Sequence, residues 1–200
     1  MGWKSETATI RSVHGSAQAS IGGGPVQPLR PNMPLTEGAT IQTGADSAVD
    51  LQVNGRTSTV RMTADTTMTL KTMKTLGEDS ETMLDLKVGT LLGSVKKISN
   101  NSKYELRTPR GVTRVRGGGF AVSCVPQPNG TPKVSFTCVT GQLLCVGIGT
   151  MIYSSNPPLM TLTSGQSWTP PDNNMQVTPV VPAPPEILRS FASSPLGPFR

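Results

Sequence analysis

An all-β architecture is what this sequence predicts, and three features carry the expectation. About a dozen short segments alternate apolar with polar residues, at spacings near 8 to 12 residues. Glycine and Asn-Gly turns separate them. The composition is rich in Thr, Ser, Gly and Val, with charged residues at 15%, which suits strands and turns better than helices. Such a pattern leaves sandwich, barrel and solenoid open.

From the N-terminus, Thr7 to Val13 alternates as a first strand, and Gly15-Ser16 turns the chain into Ala17 to Ile21. Gly22-Gly23-Gly24-Pro25, with Pro28, Pro31 and Pro34, predicts an extended, polyproline-like connection. Val49, Leu51 and Val53 then share one face. Asn54-Gly55 is a two-residue hairpin signal, and Arg56 to Met62 is the return strand. Met68 and Leu70 mark another strand, Gly77 to Glu81 a polar loop, and Leu84, Leu86 and Val88 a strand that Gly89 closes. Leu91 to Ile98 is less regular, and Asn100-Asn101-Ser102 is a loop. Tyr104 and Leu106 share a face before Thr108-Pro109-Arg110-Gly111, where Pro109 fixes φ and Gly111 can supply a left-handed residue. In Val112 to Arg116, the side chains of Arg114 and Arg116 leave the same face. Gly117, Gly118 and Gly119 mark a bulge, a sharp corner or a close backbone approach. Phe120 to Val125 and Lys133 to Val139 form a hairpin across Pro126 to Pro132. Leu143 to Val146 and Ile148 to Tyr153 are further strands.

Trp168 is the expected end of a β domain covering residues 1–168, of which 1–24 could be an added hairpin. Residues 169–200 form a Pro-rich extended tail, with Pro170, Pro171, Pro179, Pro182, Pro184, Pro185, Pro195 and Pro198. Within it, Glu186 to Ala192 suits a turn or two of helix with Ile187, Leu188 and Phe191 on one side. That tail could anchor on a neighbouring subunit, giving a homo-oligomer, or be a free linker.

Four motifs occur together in order. Thr108 to Phe120 reads TPRGVTRVRGGGF. Upstream, Leu35-Thr36-Glu37-Gly38-Ala39-Thr40-Ile41-Gln42-Thr43-Gly44 fits an "L..G..I.TG" opening; downstream, Val139-Thr140-Gly141-Gln142-Leu143 fits a V..G.V strand, and Leu162 to Gln166 an L..G(Q/E) turn. Together these resemble the FecR domain family over roughly residues 25 to 168, and the likeness, with the spacing of the glycine turns, favours a twisted two-sheet sandwich or a β-helix-like stack of short strands. The departure is Gly118-Gly119, where the family usually carries a threonine and a polar or acidic residue. The resemblance implies a non-enzymatic domain facing the periplasm or cell envelope, with a leader absent from this chain. It would bind a protein or an anionic polymer, as a scaffold or a signal-receiving module. Transmembrane regulators of this kind receive a signal from an outer-membrane transporter and control a sigma factor. The chain would be an extracytoplasmic fragment of one or a free-standing relative. A glycan-binding or carbohydrate-active β-solenoid is the alternative from another class, and an aromatic content of 4% counts against it.

The formal net charge is +6. Arg107, Arg110, Arg114 and Arg116 are its only concentrated cluster, suited to carboxylate, phosphate or a polyanion because guanidinium is a planar bidentate donor. With two tyrosines and two tryptophans in all, the aromatic interleaving of a nucleic-acid platform is missing. No apolar run approaches the roughly 18 residues of a membrane span, and the start, MGWKSETATIRSV, lacks a signal-peptide pattern. Cys124, Cys138 and Cys145 cannot all pair; a Cys124 to Cys138 bridge and three buried thiols both stand, the second favoured. No CxxC or nearby histidine suggests zinc. His14 reads as a turn residue, the acidic residues are dispersed, and neither glycine run continues as a phosphate loop. No cofactor, metal or catalytic residue is expected.

Overall fold

The computed structural model describes residues 2–55, 57–148, 159–172 and 178–196. Its strands, in chain order, are β1 (Lys4–Ser5), β2 (Ala8–His14), β3 (Ala17–Ile21), β4 (Gln27–Pro28), β5 (Pro34–Leu35), β6 (Ala39–Thr43), β7 (Ala48–Val53), β8 (Ser58–Met62) and β9 (Thr67–Leu76). There follow β10 (Asp79–Val95), β11 (Lys103–Thr108), β12 (Gly111–Val115), β13 (Gly118–Val125), β14 (Lys133–Cys138), β15 (Gln142–Gly147), β16 (Met160–Thr163), β17 (Gln166–Trp168) and β18 (Val181–Pro182). The α-helix α1 (Pro185–Ala192) follows them among the described residues. The expected strand at Ile148 to Tyr153 falls almost wholly outside the described residues.

Backbone pairing sorts these strands into two sheets that share one member. The first runs β4, β3, β6, β9, β10, β11, β12, β15, β16, with β1 also on β9. The second runs β5, β2, β7, β8, β10, β13, β14, β17, β18. Among the described residues only β10 and β11 are parallel. Neither sheet closes on itself among the described residues, because no pair links the ends of either row. Ile41, Leu70, Leu84 and Leu106 of the first sheet share one buried cluster with Ile10, Leu51, Val60, Phe120 and Phe136 of the second. The two sheets therefore pack face to face as an all-β sandwich. Strands are laid down from one end to the other, in runs of one or two on each sheet by turns, so the sandwich also has the progression of a stack.

β10 is the joint. Its first half pairs with β9 and β11, and its second half, Leu91 to Val95, lies between β8 and β13. Gly89 was expected to close this strand; it bends it instead. Its φ of +99° and its contact with Thr66, whose atoms a Cβ would strike, allow only glycine at the crossing. Thr66 Oγ1 also accepts from the Thr90 N–H at 3.0 Å, holding the bend. Beyond it the two-residue alternation is lost to sequence inspection, because Leu91 faces the main core while Leu92 is buried on the opposite face.

Other differences are local. The β7–β8 hairpin forms, but Val53 is opposite Ser58, so the connection spans 54–57 rather than two residues. Asn54, fully buried, turns inward: its Nδ2 donates to the carbonyl oxygens of Lys74 and Glu81 and to Thr82 Oγ1 at 2.8–3.2 Å. Those bonds tie a turn of the second sheet to strands of the first. The β9–β10 turn is tighter than the expected loop, since Leu76 is opposite Asp79. The seven-residue β13–β14 connection is as expected, with Val125 opposite Lys133.

All three cysteines are buried free thiols. Cys124 is opposite Val134 and Cys138 opposite Phe120, so the two lie four positions apart, about 13 Å along the ladder. That exceeds the roughly 7 Å Cα separation a disulfide tolerates.

The segment after Trp168 is not an extended tail throughout. β18 pairs with β17, and Phe191 and Leu196 pack on Leu92 and Ala121, on the outer face of the second sheet. Prolines bar a long helix, but Pro185 at the first helical position is compatible with one, and the apolar spacing supplies its docking face.

Candidate functional site

The arginine-bearing stretch lies in β11, β12 and the corner that follows. Thr108 closes the turn: its Oγ1 accepts from the N–H groups of Arg110 (3.3 Å) and Gly111 (3.0 Å), and donates to the Gly111 carbonyl at 2.9 Å. Pro109 needs no partner for its nitrogen there. Gly111 does not take a left-handed conformation. Glycine is required instead by close approach, because a Cβ would stand 2.8 Å from the Val146 carbonyl oxygen and 3.1 Å from the Phe136 ring.

Thr113 and Val115 face the core, so Arg114 and Arg116 point outward as alternation requires. The four arginines nevertheless do not form one site. Arg110 Nη2 donates to the Pro171 carbonyl at 2.5 Å and is 3.7 Å from Asp172, so it holds the returning tail. Arg114 Nη2 donates to Glu105 Oε1 across the β11–β12 ladder at 2.7 Å. Arg107 and Arg116 remain exposed without an ion pair among the described residues. They are about four positions, or 13 Å, apart along the sheet.

The triple glycine is a sharp corner between the sheets. Gly117 and Gly118 have φ of +148° and +100°, and a Cβ on Gly118 would strike the Thr140 carbonyl. Gly119 donates its N–H to Thr140 Oγ1 at 2.7 Å, and the Phe191 ring lies so close that a Cβ there would be 2.6 Å from it. The corner and the close approach coincide here, while the ladders of β13 run without the register shift that would mark a bulge.

The corner forms the floor of an open groove of about 960 Å³. Its lining combines Gly117, Gly118, Thr140 and Gly141 with Lys96, Lys97 and Arg116, and with Leu188, Phe191 and Leu196 in and just after α1. Sequence inspection missed Lys96, Lys97, Ser94 and this helical wall as parts of a site. The Lys-Lys doublet and the Ile187/Leu188/Phe191 spacing were visible, but nothing in the chain order places them together.

The family model described as FecR protein matches residues 39–143, just over half of the chain and the whole stretch from β6 to the start of β15. The chain belongs to the FecR family. That match contains the Thr108–Phe120 motif and stops short of the Leu162 to Gln166 turn. Two solved structures share the fold, each of a protein from Parabacteroides distasonis ATCC 8503 provisionally designated an anti-sigma factor. The first has a TM-score of 0.57 and 14% identity, covering 76% of this chain and 63% of that one. The second has a TM-score of 0.54 and 14% identity, covering 72% and 59%. This FecR chain thus spans less than two thirds of either structure. No curated protein matches it. Among the described residues no helix is long and apolar enough to cross a membrane.

Proposed function

We propose that this chain is a non-enzymatic FecR domain of the cell envelope that binds a protein partner, as the signal-receiving or scaffold part of a sigma-factor regulatory system. The observation that carries the reading is membership of the FecR family over β6 to β15. Likeness in fold to proteins designated anti-sigma factors agrees with it. The outward guanidinium of Arg107, free of an ion pair among the described residues, offers a bidentate donor to a partner carboxylate on the first sheet. A polymer partner would use the same cation without a defined stoichiometry.

Photo-crosslinking tests the reading. A benzophenone side chain replacing Arg107 in the exported chain, activated in intact cells, is expected to yield one discrete protein adduct. A heterogeneous glycan smear, or no adduct, overturns it.

A further inference from the structure

We propose that the groove beside the triple-glycine corner is a docking site for an acidic, extended peptide segment of a partner protein that also carries apolar side chains. The inference rests on the reading of this chain as a protein-binding FecR domain and adds the place and chemistry of the contact.

Charge is the first argument. Lys96, Lys97 and Arg116 border the groove, all exposed, and none makes an ion pair among the described residues. Arg116 is held only by a 3.5 Å bond from its Nη1 to the Asn100 carbonyl. Lys96 and Lys97 also border a smaller cleft containing Glu6, Glu78 and Asp79, yet no carboxylate there comes within ion-pairing distance of them. Three like charges on one rim repel one another until an anion arrives.

The second argument is a buried group without a partner. Ser94 lines the groove, is 1% exposed, and its Oγ has no hydrogen bond. An unsatisfied buried hydroxyl is destabilising, and a carbonyl or carboxylate oxygen of a bound segment would accept its proton. Shape supplies the third. Gly117, Gly118 and Gly141, packed on Thr140, Lys97 and one another, bring main chain rather than side chain to the groove. Half-buried Leu188 and buried Phe191 add aliphatic and aromatic surface to the same groove. Cations and hydrocarbon together in one groove match a strand whose alternate residues are acidic and apolar.

The probe is a fluorescein-labelled ten-residue peptide of alternating leucine and glutamate, titrated by fluorescence anisotropy against the full chain. A Kd of about 10–100 μM is expected, with the leucine–lysine counterpart not binding. Lys96→Glu/Lys97→Glu, at exposed positions, should weaken binding about tenfold or more. Ser94→Ala should weaken it severalfold while leaving the unfolding midpoint unchanged or raised. Arg107→Glu, outside the groove, should leave it unaltered. No binding at about 1 mM peptide, indifference to the lysine reversal, or equal competition by a sulfated polysaccharide would each overturn the proposal. Peptide failure with the Arg107 crosslink intact removes the groove alone; loss of that crosslink removes the broader reading.

Discussion

Asp50 is 5% exposed and accepts three bonds of 2.7 Å, from Arg61 Nε and Nη2 and from Ser12 Oγ. The pair lies across the β7–β8 ladder, and Ser12 reaches it from β2. Donating to Asp50 raises the Arg61 pKa above its ordinary value, while burial opposes the shift. Removing the acid strands a partly buried guanidinium, so Asp50→Ala should cost about 3 kcal/mol, readable as a lower urea midpoint. Loss of Ser12→Ala alone should cost about 1 kcal/mol. The cysteines set a second expectation. Burial pushes the Cys138 thiol up to about 11 and Cys145 up to about 12, from an ordinary 9.0, and raises Cys124 as well. Folded thiols thus keep protons that unfolded ones release. Their contribution is fully present below pH 9 and is lost as pH climbs through 11 and 12. Buried Tyr104 adds to the same trend at still higher pH. The urea midpoint should fall steeply above pH 9, and less steeply in Cys138→Ala/Cys145→Ala. Equal slopes would show that the thiols are not what the alkaline limb measures.

At the scale of elements, glycines do most to decide where strands end or turn. Gly77 and Gly118 both have positive φ, but a Cβ on Gly77 meets nothing within 4 Å whereas one on Gly118 strikes the Thr140 carbonyl. Gly77→Ala should therefore cost about 1 kcal/mol, from conformation alone. Gly118→Ala should cost about 2–4 kcal/mol, since overpacking is added. Equal losses in chemical denaturation would argue that the corner is not closely packed. The central motif was legible as a corner because three successive glycines have few other uses in a strand. Gly89 was misread as a stop because a bend and an end look alike in one dimension. Only the continued pairing of Leu91 to Val95 with two new neighbours separates them.

For the molecule as a whole, α1 decides how much of the second sheet meets water. Leu92 and Ala121 are 2% exposed because Phe191 and Leu196 of the same chain cover them. Deleting residues 184–200 should uncover that strip, giving 8-anilinonaphthalene-1-sulfonate fluorescence and concentration-dependent association in light scattering, with the β-type circular dichroism retained. A truncated chain that stays monomeric and dye-free would show that the helix covers nothing of consequence. Much of this architecture was set by the sequence alone. Alternation with a period of two forces strands with one apolar face, and glycine and proline positions forbid the alternatives, so an all-β fold and most strand positions follow from short-range chemistry. The long-range arrangement does not. Which strands pair, that β10 serves both sheets, that Arg110 and Arg114 are occupied by Pro171 and Glu105 while Lys96 and Lys97 line one groove with Leu188 and Phe191: these were decided in three dimensions. The physical reason is that alternation tells a side chain which face it is on, not which neighbour from about a hundred residues away that face will meet.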